Sequence, residues 1–117
     1  MSLAKKLNLA SGTKLRVVGK PKGVGLGDVE TTTSSNAPAV LVFVTTLADV
    51  DGTCAPMIDA ARQDRIAWAA YPKAGQLGTD LNRDVLWKHL LEKYRVQGVR
   101  QVALDEVWSA MRFRPAK

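Results

Sequence analysis

The chain has 117 residues, of which 46% are apolar and 24% charged, and its formal net charge is +6. This composition fits a single α/β domain large enough to bury a core, and it excludes collagen, disorder and a disulfide-stapled mini-protein. With one cysteine, Cys54, and one histidine, His89, no internal disulfide can form and no ligand set for a structural zinc is present.

Residues 1–12 read as a flexible basic terminus. Lys5 and Lys6 are not followed by an apolar stretch, so no signal peptide is expected. The longest apolar run, Ala39–Val44, is too short to cross a bilayer, and a cytoplasmic protein without membrane contact is expected. Residues 1–27 carry Lys5, Lys6, Lys14, Arg16, Lys20 and Lys22 and no acid. Acids and bases balance over residues 28–117, so the whole positive excess lies in the first quarter. Such a segment is either a solvated terminus or an arm for a polyanion. All the aromatic residues lie from Phe43 onward, which limits any nucleic-acid binding to weak phosphate contacts.

Lys14–Val18 alternates and ends β-branched, so a short strand is expected there. Gly19, Pro21 and Gly23 break it, and a weak strand is possible over Val29–Thr32. Ala39–Val44 is apolar on both faces, as in a strand covered by helices on both sides. Thr46 and Thr53 suit helix starts, Gly52 interrupts them, and Pro56 is tolerable only in a first turn. Met57, Ile58, Ala60 and Ala61 give the helix a small apolar face, ending near Gln63. Arg65–Tyr71 is a second buried strand, closed by Pro72.

After a loop from Lys73 to Asp80, Asn82 is a natural N-cap, Leu81 and Leu86 form a hydrophobic staple, and Asp84 suits the positive helix end. Leu86, Trp87, Leu90, Leu91 and Tyr94 recur at helical spacing as the core face, and Gly98 is the expected stop. Val99–Leu104 and Trp108–Phe113 then read as an antiparallel hairpin turning near Asp105-Glu106. The expected fold is one domain over residues 1–117. It is a mixed, mostly parallel sheet with helices on its faces and a C-terminal hairpin as its antiparallel edge, a reduced Rossmann-like α/β arrangement.

Several residue groups invite a chemical reading. Gly23-Val24-Gly25-Leu26-Gly27 follows a strand, but Asp28–Ser35 has no helical apolar face, so the glycines read as a surface loop and not as a phosphate cradle. His89 falls roughly 135° from the centre of the apolar helix face and is expected in solvent, neither base nor metal ligand. Cys54 sits at a helix start that could stabilise a thiolate, yet no histidine pairs with it. Ser109 lacks a nucleophile elbow. Trp68, Trp87 and Trp108 read as core filling.

The segment from Tyr71 to Asp84 is the most informative. It leaves the carboxyl end of a central strand and enters a helix N-terminus, the crevice where open α/β sheets bind ligands. Tyr71, Lys73, Thr79, Asp80, Arg83 and Asp84 are the candidate ligand-binding residues. Arg83 in the first turn, on the core-facing meridian, either bridges Asp80 or Asp84 or points into the crevice. No catalytic residue, metal or cofactor is expected.

Three motifs carry a resemblance: Trp68-Ala-Ala-Tyr71-Pro72-Lys73, Thr79-Asp80-Leu81-Asn82-Arg83-Asp84-Val85-Leu86-Trp87, and Asp105-Glu106-Val107-Trp108-Ser109-Ala110-Met111-Arg112-Phe113. With these the chain resembles a family of small bacterial proteins of unknown function over roughly residues 3–115, so the resemblance implies no reaction. In its order of elements alone, the chain is also similar to the C-terminal half of Rossmann-like methyltransferases. The expected function is a non-catalytic module that binds a small anionic ligand or a protein. A methyltransferase-like or anion-handling transferase is the alternative, and a weak nucleic-acid binder the second.

Overall fold

The computed structural model describes residues 3–10, 12–27, 29–73 and 78–116. Six strands form one mixed sheet: β1 (Leu15–Val18), β2 (Thr31–Thr32), β3 (Ala39–Phe43), β4 (Ile66–Pro72), β5 (Val96–Ala103) and β6 (Trp108–Pro115), in the spatial order β2-β1-β3-β4-β6-β5. The β2–β1, β1–β3 and β3–β4 pairs are parallel, whereas β6 runs antiparallel to both β4 and β5. The hairpin therefore enters the sheet through its second strand. β6 is sandwiched between β4 and β5, and β5 is left as the edge.

Both faces of the central strands are buried, as their composition demands. Val40, Val42, Ala67, Ala69 and Tyr71 face α3 (Ala55–Arg62) and α4 (Arg83–Tyr94), where Met57, Ile58, Leu86 and Leu90 complete a core. Ala39, Leu41, Phe43, Trp68 and Ala70 face the other way, with Trp108 edge-on to Phe43 at 5.3 Å. That second face has no long helix among the described residues. It is covered by the one-turn α1 (Leu3–Lys6), by Leu7, and by Val24 and Leu26 from the glycine loop. Between β3 and α3 lie a 3-10 turn (Leu47–Asp49) and the short α2 (Val50–Thr53). No helix among the described residues is long and apolar enough to cross a membrane.

Four expectations change. Residues 3–10 do not behave as a loose terminus: Leu7 is fully buried and its carbonyl accepts a hydrogen bond from Trp68 Nε1 at 3.0 Å. An indole N–H in a core needs an acceptor, and the N-terminal segment supplies it. Gly98 does not stop α4. The helix ends at Arg95, in the left-handed region at φ 59°, with its N–H on Leu91 O. Gly98 lies in β5 beside a register shift, where a Cβ would collide with the Met111 sulfur and come within 3.6 Å of Trp87 Cδ2. The missing side chain thus leaves room for Met111, which would have to shift if a Cβ were present. The buried face of α4 is also narrower than its apolar pattern: Leu86 and Leu90 are buried, while Trp87 and Leu91 are 39% and 37% exposed. Trp87 consequently does not join Trp68 and Trp108 as a core residue. Finally, the glycine loop, with positive φ at Gly23 and Gly27, is followed as expected by β2 and by no helix among the described residues, but it is not loose. Val24 and Leu26 are tucked onto the sheet, so the loop is anchored rather than free.

Candidate functional site

The crevice lies at the carboxyl end of β4 and has a volume of about 400 Å³. Register explains its floor. Tyr71 of β4 is opposite Ser109 of β6, and Ser109 is opposite Ala103 of β5, so all three present side chains to the α4 face. Gln101 lies two residues from Ala103 on the same face. One wall is the start of α4: Asn82, Arg83 and Asp84, with Lys73 at the rim. Asn82 fixes that wall, its Oδ1 accepting from Val85 N at 3.0 Å, and buried Leu81 and Leu86 form the expected staple beneath it.

Of the six candidate residues, Tyr71, Lys73, Arg83 and Asp84 come together here. Thr79 and Asp80 do not. Thr79 Oγ1 donates to Thr45 O, and Asp80 Oδ1 accepts from Leu47 N at 3.1 Å, so both residues stitch the approach to α4 onto the segment after β3. Residues 74–77 of the intervening loop lie outside the described residues. Of the outlets expected for Arg83, the bridge is made to Asp84 and not to Asp80, at the edge of the crevice. Arg83 Nε donates to Asp84 Oδ1 at 3.0 Å and its NH1 reaches Gln101 Oε1 at 3.5 Å, with more than half of its side chain in solvent. Gln101 and Ser109 were not among the candidates. Hairpin alternation would place them on the Tyr71 face, but only once β6 is known to lie against β4.

Tyr71 is the chemically conspicuous member. It is 2% exposed, and its hydroxyl oxygen is buried without a hydrogen-bond partner. Burial pushes its pKa above the ordinary phenol value, against the opposing pull of the Arg83 charge. Ser109 and Gln101 are near enough to favour the phenolate slightly, yet neither completes a hydrogen bond with the hydroxyl. The group is therefore a neutral phenol with an unspent donor. Leaving such a group dry costs about 1–3 kcal/mol.

A second polar cluster joins α2 to α4. Asp51 Oδ1 accepts from His89 Nε2 and from Tyr94 Oη, both at 2.8 Å, and Oδ2 accepts from Lys93 Nζ at 2.7 Å. His89 is thus half-buried and paired, not free in solvent. The bond to His89, then those to Lys93 and Tyr94, hold the Asp51 carboxyl well below the ordinary carboxylate range. Arg62 adds a hydrogen bond to Tyr94 O at 3.1 Å and lies 5.8 Å from the Tyr94 ring centroid. Cys54, nearby and fully buried, is not activated by its helix start. Burial, and then the Asp51 charge, push its thiol up to about 12. Among the described residues no group of three or more histidine, cysteine, aspartate or glutamate side chains could hold a metal ion.

Comparison with protein-family models, with curated proteins and with solved structures gives no match.

Proposed function

We propose that this chain is a ligand-binding α/β module whose crevice at the carboxyl end of β4 takes a small anionic molecule. The observation that carries the reading is the buried Tyr71 hydroxyl, a neutral donor without an acceptor, in the wall of a ligand-sized cavity lined by polar residues. Lys73 and Arg83 supply positive charge at the mouth, Ser109 a second hydroxyl on the floor, and Gln101 an amide on the adjoining strand. Asp84 bridges Arg83 and offsets part of that charge, so the net positive charge of the mouth comes from Lys73. Donors dominate, which favours a carboxylate or another acceptor-rich anion as the group that meets Tyr71. The arrangement supports binding rather than turnover: His89 is committed to Asp51 and Cys54 is a protonated thiol.

The test is a nitrogen-15 NMR titration with acetate, succinate, malate and citrate at constant ionic strength. Saturable shifts confined to residues around Tyr71, Arg83 and Ser109, and lost in Tyr71→Phe, are expected for at least one of them. Shifts that stay linear with concentration for every acid, or a saturating response unchanged in Tyr71→Phe, would refute the reading.

A further inference from the structure

The opposite end of the same hairpin carries an arrangement that the crevice does not use. Arg100 of β5 is directly opposite Arg112 of β6, so their side chains leave the sheet on one face. Arg114 follows two residues later on that same face. Like charges directly opposite each other in a ladder are destabilising. Arg114 is answered by Asp64, with Nε to Oδ1 at 3.0 Å and NH2 to Oδ2 at 3.2 Å. Among the described residues Arg100 and Arg112 have no acid within ion-pair distance. In addition, Arg112 Nε is buried and makes no hydrogen bond. Burial, and then the neighbouring Arg114 charge, lower its pKa from the ordinary arginine value, with Arg100 acting in the same direction and Asp64 against it. The hairpin therefore bears two local costs: paired like charges and a buried donor without an acceptor.

A bound anion removes the first of them. A carboxylate has two oxygens, and a single guanidinium fork fills them. A phosphate group has more acceptor oxygens and more charge, and it can be addressed by two or three forks at once. Trp68 is the partner of Arg112 in β4, and it anchors the N-terminal segment over this face through the Leu7 carbonyl. We infer that Arg100, Arg112 and Arg114 form a phosphate-binding site on the sheet face opposite α4. Arg112 is its central ligand and Asp64 the internal carboxylate that occupies Arg114 while the site is empty. The phosphate group is either free, as inorganic phosphate or a small monoester, or part of a nucleic-acid backbone.

The experiment follows the arginine Nε–Hε NMR resonances during titration with inorganic phosphate, and separately with a short single-stranded oligothymidylate, ionic strength being held with chloride. Saturable movement of the Arg100 and Arg112 signals is expected with at least one probe. Tighter binding of inorganic phosphate assigns a free ligand. Tighter binding of the oligonucleotide, weakening steeply with salt, assigns a backbone. Arg100→Gln, at an exposed position where folding is not at stake, should weaken binding by roughly tenfold or more, the equivalent of one charge-assisted hydrogen bond. Asp64→Asn should tighten it by freeing Arg114. Tyr71→Phe should leave it unchanged, which separates this site from the crevice. Absence of saturation with both probes, or unaltered affinity in Arg100→Gln and Arg112→Gln alike, would overturn the inference.

Discussion

Tyr71 at the end of β4 and Tyr94 at the end of α4 make opposite use of the same group. Tyr94 donates its hydroxyl to Asp51 at 2.8 Å, within a carboxylate that also holds His89 and Lys93. Tyr71 is far more deeply buried and its hydroxyl holds nothing. One cluster has spent its hydrogen bonds on joining α2 to α4, whereas the other keeps a donor facing a cavity. Satisfied polar groups rigidify a fold, and a buried unsatisfied one marks a place where the fold has accepted a local cost. On that distinction rests the proposal that the crevice, and not the more crowded Asp51 cluster, takes a ligand.

The comparison breaks most visibly at Asp51. Asp51→Ala strips three donors of their shared acceptor and should lower the thermal midpoint more than any other substitution named here. Its carboxyl is depressed below the ordinary value in the folded chain, so the stabilisation is present in full above the unfolded aspartate pKa of about 3.9 and is lost only as the pH falls towards the lower folded value. The difference in midpoint between the native chain and Asp51→Asn should accordingly be constant at neutral pH and shrink in strong acid. A difference that stays undiminished in strong acid would show that the Asp51 carboxylate is not the group being stabilised.

Tyrosine-to-phenylalanine changes should then have opposite signs. Tyr71→Phe deletes an unsatisfied buried hydroxyl and should leave stability unchanged or raise it by about 1 kcal/mol, read by urea unfolding. Tyr94→Phe, which deletes a made bond, should lower stability in the same assay. Destabilisation by Tyr71→Phe would mean that its hydroxyl is partnered in solution and would remove the basis of the proposed function.

Smaller effects sharpen the picture at the crevice mouth. The Arg83–Asp84 bridge is more than half exposed, so Arg83→Ala should cost about 0–1 kcal/mol of stability while weakening any anion bound there. Loss of several kcal/mol would make Arg83 a structural fastener. Lys73→Ala should change stability by less than about 0.5 kcal/mol, as a substitution at a solvent-facing rim does. A larger loss would place Lys73 in packing and close the crevice at that side.

Local chemistry made much of this readable. The apolar Ala39–Val44 run could only be a strand buried on both sides, and Asn82 with Leu81 and Leu86 specified the start of α4 down to its cap. The rule that the carboxyl end of a central strand and the next helix N-terminus enclose a crevice named six candidate residues, of which Tyr71, Lys73, Arg83 and Asp84 line the cavity.

What the sequence could not decide depends on which strands are neighbours and how far a helix turns about its axis. Helical periodicity marks Leu86, Trp87, Leu90, Leu91 and Tyr94 alike, but the sheet accepts only the Leu86–Leu90 stripe deeply and leaves Trp87 and Leu91 half-exposed. The same rotation brings His89 to Asp51, a contact spanning 38 positions that no local pattern encodes. Insertion of β6 between β4 and β5 sets Ser109 beside Tyr71 and Arg100 beside Arg112. Alternation assigns a residue to a face, but only pairing across strands determines what shares that face with it. Both the crevice and the arginine cluster are therefore products of tertiary register.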